Sequence, residues 1–333
     1  MPADPAPAPP GPAVSDPPGS AGPVPDRRDG VLRLPDGRLL GYAEYGDPAG
    51  PPLLYFHGYP SSRLEAGLIP LHHVRLIAPD RPGYGLSAPK PGRRLLDWPA
   101  DVAALLDHLG LARAAVLGMS GGGPYAAVCA HALPDRVTAT AIVCGIAPPD
   151  GEGDGTGERP EDGTGDGPGK ETDWAGGSPA GFLLRLGRRP VALRLAAAAV
   201  RQVVRSTDPL AVATMLRARA GLPASDRVLL GPGVGDRVVA GWREALRSGI
   251  AGPLSDAAIY AAPWGFALED IRGRVAVWHG TADTTVPLAA GRRFAARIPG
   301  ATAHFLAGEG HFSLIFRHHP AILTDLLGAD RPA

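Results

Sequence analysis

Residues 116–124 read VLGMSGGGP, and this stretch decides how the rest of the chain is interpreted. Ser120 lies in a G-x-S-x-G pattern, which is weak evidence by itself because glycine fills 46 of the 333 positions. The apolar run AAVLGM leads into the serine, and GGPYAAVCAHAL, typical of a helix, follows it. A strand, a sharp turn and a helix in this order expose the hydroxyl at the carboxyl edge of a sheet, where helix N–H groups point at it. We therefore predict that Ser120 is a nucleophile; the alternative is a plain helix cap.

The strand before Ser120 belongs to a series of short apolar runs. Two alternating runs around Pro35-Asp36-Gly37, in VLRLPDGRLLGYAEYG, predict a hairpin. Continuous apolar runs are typical of strands buried on both faces, and these are PPLLYFHG, VRLIAPD, AAVLGM, RVTATAIVCGI, RVAVWHG and ATAHFLAG. Helical periodicity separates them, most clearly in LDWPADVAALLDHLG. The alternation predicts an α/β fold with a mostly parallel central sheet.

Shifts in composition divide the chain into segments. Residues 1–26 are rich in proline and alanine and are predicted to be a disordered tail. Residues 149–181 are acidic and rich in glycine, which predicts a flexible insert; its GDGTG fragment is similar to calcium-binding repeats but lacks their regular period. Helical periodicity in 182–266 predicts a helical cap, inserted after the sixth strand. The remaining residues, 27–148 and 267–330, are assigned to the sheet-containing core.

The overall composition excludes several classes of partner. The 33 basic and 33 acidic residues give a formal net charge of zero, so neither nucleic acid nor an anionic membrane surface is favoured. No apolar stretch reaches the length of a transmembrane helix, and the first residues lack the pattern of a secretory signal. We expect a cytoplasmic protein with a small-molecule substrate and without stable membrane insertion; the oligomeric state is left open. Cys129 and Cys144 stand among apolar residues, which predicts buried reduced thiols.

A serine hydroxyl is a poor nucleophile unless an imidazole accepts its proton and a carboxylate orients that imidazole. Asp283 follows the strand in VAVWHGTADTTVP, and His311 follows the last strand in FLAGEGHFSL. The order Ser120, Asp283, His311 is the one expected on such a sheet. Two alternatives are left open. Asp283 could merely form a turn, with Asp150 as the acid in its place. His311 could merely cap the final helix.

Six motifs in their expected order make the chain similar to capped, serine-type esterases of the α/β-hydrolase fold superfamily: DGRLLGYAEYGDP, HGYP, DRPGYGLS, GMSGG, HGTADTTVP and GEGH. The resemblance covers roughly residues 32–327, apart from the glycine-rich insert. It implies that the backbone N–H groups of Tyr59 and Gly121 form the oxyanion hole. We expect His57 to shape that loop without transferring protons, and Arg81 to fix a loop more readily than to bind substrate.

The predicted function is hydrolysis of a small, apolar carboxylic ester through an acyl-enzyme on Ser120, with His311 as base and then acid. The resemblance leaves lactonase, thioesterase, carbon–carbon bond hydrolase, peptidase and cofactor-free perhydrolase open, since all share this arrangement. A serine nucleophile argues against the haloalkane dehalogenase and epoxide hydrolase branches of this superfamily, whose nucleophile is aspartate. The alternative of another class is a small-molecule binding module with little turnover. No histidine or cysteine cluster has metal-ligand spacing, so neither a metal nor an organic cofactor is expected.

Large apolar side chains near the predicted cap indicate an apolar acyl or alcohol pocket. The same residues could instead serve only to attach the cap to the sheet. The candidate pocket residues are Met119, Phe182, Trp242, Trp264 and Phe266.

Overall fold

The computed structural model describes residues 26–70, 73–149, 177–231 and 233–328. Its centre is an eight-stranded sheet with the order β1-β2-β4-β3-β5-β6-β7-β8. Five of its seven strand pairs are parallel, which confirms the predicted mostly parallel sheet. The strands are β1 (Arg28–Arg33), β2 (Leu39–Gly46), β3 (Pro52–Phe56), β4 (Arg75–Pro79), β5 (Ala114–Met119), β6 (Val137–Val143), β7 (Val275–Gly280) and β8 (Thr302–Leu306).

Strand direction follows the lengths of the connections. The short turn after β1 returns the chain as β2, which is antiparallel to β1 and to β4, whereas the pairs from β4 through β8 are parallel. Phe56 on β3 is in register with Gly118 on β5. Because parallel strands end at one edge, this register brings the chain after Phe56 next to Ser120.

Helices cover both faces of the sheet, and alternate strand residues pack against them. Leu54 packs in a cluster with α1, α2 and α9, while its neighbour Leu53 packs in a second cluster with α10. This explains why the strands are apolar at nearly every position. Among the described helices, none is long and apolar enough to cross a membrane. The core helices are α1 (Trp98–His108), α2 (Gly123–Ala132), α9 (Leu288–Arg297) and α10 (Ser313–Leu327).

Between β6 and β7 the described chain forms a helical cap. The Ser178 hydroxyl accepts a hydrogen bond from Gly181 N at 3.0 Å, and Pro179 occupies the first turn, so the first cap helix begins at Pro179, ahead of the predicted Phe182. The predicted tail and most of the predicted insert, with its calcium-like fragment, lie outside the described residues. The cap helices are α3 (Pro179–Gly187), α4 (Pro190–Ser206), α5 (Pro209–Arg217), α6 (Ala224–Leu229), α7 (Val234–Ala245) and α8 (Ala251–Tyr260).

Candidate active site

Ser120 sits on the sharp turn between β5 and α2, in the left-handed conformation with φ of 54°. This backbone conformation is strained for a residue other than glycine, and it is characteristic of a nucleophile on such a turn. The glycines of the motif are required by space: a Cβ at Gly118 would lie 2.4 Å from Gly122 O, and one at Gly122 would lie 2.0 Å from Phe56 O. Gly122, not Ser120, occupies the N-cap position of α2, so the helix-cap interpretation of the serine fails.

Asp283 and His311 meet at the same edge of the sheet. His311 Nδ1 donates to Asp283 Oδ2 at 2.7 Å, and both side chains are buried. The other carboxylate oxygen, Oδ1, accepts the backbone N–H groups of Thr285 and Val286 at 2.8 and 2.9 Å. Asp283 is therefore both a turn former and the partner of the imidazole. Because His311 Nδ1 faces Asp283, Nε2 is the ring nitrogen left with a lone pair.

The charge on this pair is set by competition between burial and attraction. Burial by itself lowers the pKa of His311, but the negative charge of Asp283 and the hydrogen bond to it outweigh burial and raise that pKa above its ordinary 6.5. Burial would raise the pKa of Asp283, yet the charge and hydrogen bond of His311 lower it below its ordinary value. Asp283 thus remains a carboxylate, the charge state that would stabilise a protonated His311.

A pH dependence follows from these directions. The base predicted for ester hydrolysis, His311, must be neutral to accept a proton, so kcat/KM is expected to fall on the acid side as His311 becomes protonated. Since the pKa of His311 is raised, the midpoint of this fall should lie above 6.5. The measurement is kcat/KM for a neutral ester across the pH range. A midpoint well below the ordinary histidine value would contradict the assigned base.

The predicted oxyanion donors, Tyr59 and Gly121, lie side by side. A Cβ at Gly121 would be 3.2 Å from Tyr59 N, so the two backbone segments face each other beside Ser120. Arg81 supports this loop from behind: its guanidinium donates to the carbonyl oxygens of His57 and Gly58, the latter at 2.9 Å. Arg81 is fully buried, which agrees with the prediction that it fixes a loop.

His57 packs behind the same loop and is held neutral. Its Nδ1 contacts Gly58 O at 2.9 Å, and its Nε2 accepts from Arg81 N at 3.4 Å. Burial, and then the charge of Arg81, lower the pKa of His57 well below its ordinary value. With both ring nitrogens occupied by the backbone, His57 has a shaping role, as expected.

A buried ionic cluster around Asp256 links this loop to the cap. Asp256 Oδ2 accepts from Arg81 Nε at 2.8 Å, and Oδ1 accepts from Arg93 and, at 2.6 Å, from Tyr125. Tyr260 contributes a hydroxyl that lies 2.8 Å from Gly121 O. A fully buried carboxylate is tolerated because two cations and several hydroxyls surround it. Sequence reasoning missed Asp256, since nothing along the chain marks a residue of α8 as a partner of residues so distant.

Residues 51–158 match the model of the alpha/beta hydrolase fold family. A bromoperoxidase from Bacillus anthracis and a thermophilic esterase from Thermogutta terrifontis superpose on the chain with TM-scores of 0.60, each at 21% identity. These alignments cover 90% and 91% of this chain, and 99% and 97% of those chains. The chain has the α/β-hydrolase fold.

Sequence similarity to curated relatives covers only part of the chain. A non-heme chloroperoxidase from Streptomyces lividans is 36% identical over 125 residues, which is 36% of this chain and 45% of that protein. The matched segment thus spans less than half of the relative's length.

Asp226 connects the cap of this α/β-hydrolase to the histidine loop. It lies on α6 and is fully buried, and its carboxylate accepts the backbone N–H groups of His311, Phe312 and Ser313 at 2.9, 3.0 and 2.8 Å. These N–H groups lead into the N-terminus of α10, where a negative charge is favourable. Gly310 permits the approach, since a Cβ there would lie 2.5 Å from the carboxylate. Within the sequence, Asp226 is one acidic residue among 33 acidic residues and carries no signal.

Replacing Asp226 by alanine is expected to destabilise the protein by about 3 kcal/mol or more, because three buried N–H groups lose their acceptor. Thermal or urea unfolding measures this cost. Asp208 provides a matched control on the same cap, since its exposed carboxylate caps α5 through Leu210 N and Ala211 N. Its alanine variant should cost only about 1 kcal/mol. Equal costs for the two variants would show that Asp226 does not anchor the histidine loop.

Cys144 lies directly after β6, next to the Asp283–His311 pair. Ligand atoms of the three side chains all lie within 4.8 Å of one another. Burial, then the charge of Asp283, raise the pKa of Cys144 well above its ordinary value, so the thiol stays neutral. Both Cys129 and Cys144 are buried free thiols, as predicted. Cys144 directly follows β6, at the edge of the sheet that carries Ser120. This position is the sequence signal that could have identified it as part of the site.

The candidate pocket residues divide into two groups. Met119 and Trp242 line one cavity at Ser120, and Phe182 lines another. Trp264 and Phe266 line neither cavity, which corrects that part of the prediction. Trp264 is buried in the core near Phe294, and Phe266 stacks on His131 of α2 with ring centroids 4.8 Å apart. The chain leaves the cap before reaching them, so they pack on the sheet domain.

Proposed function

We propose that the protein is a serine hydrolase that cleaves a carboxylic ester through an acyl-enzyme on Ser120. The observation that carries the proposal is the hydrogen bond between His311 Nδ1 and Asp283 Oδ2, beside a serine held in the left-handed conformation. This arrangement supplies a nucleophile, a base with the correct tautomer and a carboxylate that stabilises its cation. The esterase similarity of the fold agrees with it.

The proposed reaction has two halves. In the first, Ser120 Oγ attacks the ester carbonyl while His311 Nε2 takes its proton, and the Tyr59 and Gly121 N–H groups stabilise the oxyanion, each by about 3 kcal/mol. His311 then returns the proton to the leaving alcohol, and the acyl group stays on Ser120. In the second half, water loses a proton to His311 and attacks the acyl carbonyl; His311 then returns the proton to Ser120 Oγ as the ester bond to the serine breaks and the acid leaves.

Perhydrolysis is a second candidate, favoured by the similarity of part of this chain to a bifunctional esterase/perhydrolase from Acinetobacter calcoaceticus, which is 29% identical over 125 residues. In that reaction hydrogen peroxide replaces water in the second half, and a peracid leaves in place of the acid. Both candidates share the acyl-enzyme and every residue role given above. They are distinguished by measuring peracid formation from an ester in the presence of peroxide.

The test of the proposed function combines turnover with covalent labelling. The purified protein is assayed with para-nitrophenyl esters, from acetate to dodecanoate, and its intact mass is measured after reaction with a fluorophosphonate. We expect hydrolysis together with one adduct, mapped to Ser120. Tight binding of an ester without turnover or labelling would favour the binding module. Labelling at another residue would overturn the assignment of the nucleophile.

A further inference from the structure

Two cavities meet at Ser120, and they differ in chemistry. The first, of about 220 Å³, lies between the histidine loop, the segment after β3 and the cap helices α5 and α7. The second, of about 260 Å³, lies beneath α3 and α4. Tyr59, Ser120 and Thr285 contribute to both. An ester bound at Ser120 has two substituents, so each cavity is suited to hold one of them.

The position of His311 decides which substituent enters which cavity. His311 lines the first cavity and not the second. Since the imidazole must return its proton to the leaving oxygen, that oxygen has to lie within hydrogen-bond reach of His311. The leaving alcohol therefore extends into the first cavity, and the acyl group is directed into the second.

The second cavity has a wall suited to hydrocarbon. Among the residues that the structure describes there, no side chain is charged, and α4 contributes Leu193, Ala197 and Val200. The first cavity is different, because Glu65, Arg219 and Arg237 line it. Glu65 is engaged by its own loop, with Oε1 accepting from Gly58 N at 2.9 Å and from the Tyr55 hydroxyl at 2.8 Å.

Arg219 is one of the two cationic residues that line the first cavity. One nitrogen, Nη2, donates to the hydroxyls of Thr284 and Thr285 at 3.2 Å, which anchors the guanidinium beside the turn that carries Asp283. Within the described ranges no carboxylate pairs with Arg219, so its charge is uncompensated by the protein there. An anchored guanidinium facing a cavity is suited to bind an anionic group.

We propose that the substrate joins an apolar acyl group, held under α4, to a leaving group that carries a carboxylate or similar anion, held by Arg219. This inference rests on the proposed ester hydrolysis and adds the class of substrate. It assigns separate specificity residues to the two halves of the ester, so that each half can be tested without changing the other.

The test compares two butanoate esters that differ by one carboxylate, the para-nitrophenyl ester and its meta-carboxy derivative. The protein is expected to have the higher kcat/KM for the carboxylated ester, and Arg219→Gln is expected to lower that preference about tenfold, a typical effect of a hydrogen bond to a charged group. Arg194→Gln removes the same charge from an exposed position of α4 and should leave the preference unchanged.

A second variant tests the acyl half. Ala197→Phe partly fills the second cavity and should shift the optimum of the acyl series towards shorter chains, with the carboxylate preference unchanged. An unchanged fluorophosphonate labelling rate shows that the variant remains folded. The inference is overturned if Arg219→Gln leaves the preference unaltered, or if Ala197→Phe changes the preference and not the acyl series. If the protein without substitutions neither hydrolyses any of the esters nor reacts with the fluorophosphonate, the proposed function itself is overturned.

Discussion

Replacing Ser120 by alanine is expected to lower kcat for ester hydrolysis on the order of 10⁶-fold. Alanine removes the atom that forms the acyl-enzyme, while the Asp283–His311 hydrogen bond and the two cavities stay in place. Covalent labelling by a fluorophosphonate should disappear together with turnover. The measurement is hydrolysis of a para-nitrophenyl ester, with intact mass as the second readout.

Ser61 offers a matched control for this substitution. It is a buried serine that lines the same cavity as Ser120 and His311, without following a strand of the sheet. Ser61→Ala should change kcat by no more than a few fold and leave the fluorophosphonate adduct intact. Comparable losses in the two alanine variants would mean that Ser120 acts through packing, and the acyl-enzyme mechanism would have to be abandoned.

Replacing Asp283 by asparagine is expected to lower kcat about 10⁴-fold, because an amide cannot stabilise the imidazolium and favours the wrong tautomer of His311. The same change removes the charge that raises the pKa of His311, so burial then dominates and that pKa falls. The acid limb of the pH profile should consequently move to lower pH. Activity across pH measures both effects in one experiment.

The rival acid from the sequence, Asp150, is the control for this prediction. Asp150 lies outside the described residues, whereas Asp283 is hydrogen-bonded to His311. Asp150→Asn should keep both kcat and the position of the acid limb. If the Asp150 variant lost activity and the Asp283 variant kept it, the acid would be Asp150, after β6, and the assignment of Asp283 would be wrong.

The strands, in their sequence along the chain, and the three candidate residues of the site were predicted from the sequence. Continuous apolar runs separated by helical periodicity identify strands buried on both faces, and polar residues that directly follow such strands must lie at one edge of a parallel sheet. Ser120, Asp283 and His311 each occupy such a place. The glycines around Ser120 marked the sharp turn, because close backbone approach leaves no room for a side chain.

Other parts of the site depended on contacts between segments far apart in the chain. Asp256 and Asp226 sit on cap helices, and their partners belong to the core, so neither helix pattern nor motif spacing could indicate them. Trp264 and Phe266 show the converse: their apolar character was evident, but burial alone does not say which surface a side chain packs against.

The sequence by itself determined the α/β class, the cap's place after the sixth strand and the three residues proposed for chemistry, because periodicity and strand ends are local properties. Only the tertiary structure decided how burial and charge balance at His311, which buried ions hold the oxyanion loop, and which cavity each side of Ser120 faces. Those features arise from side chains brought together across the sheet and the cap, where distance in space, and not distance along the chain, sets the energy.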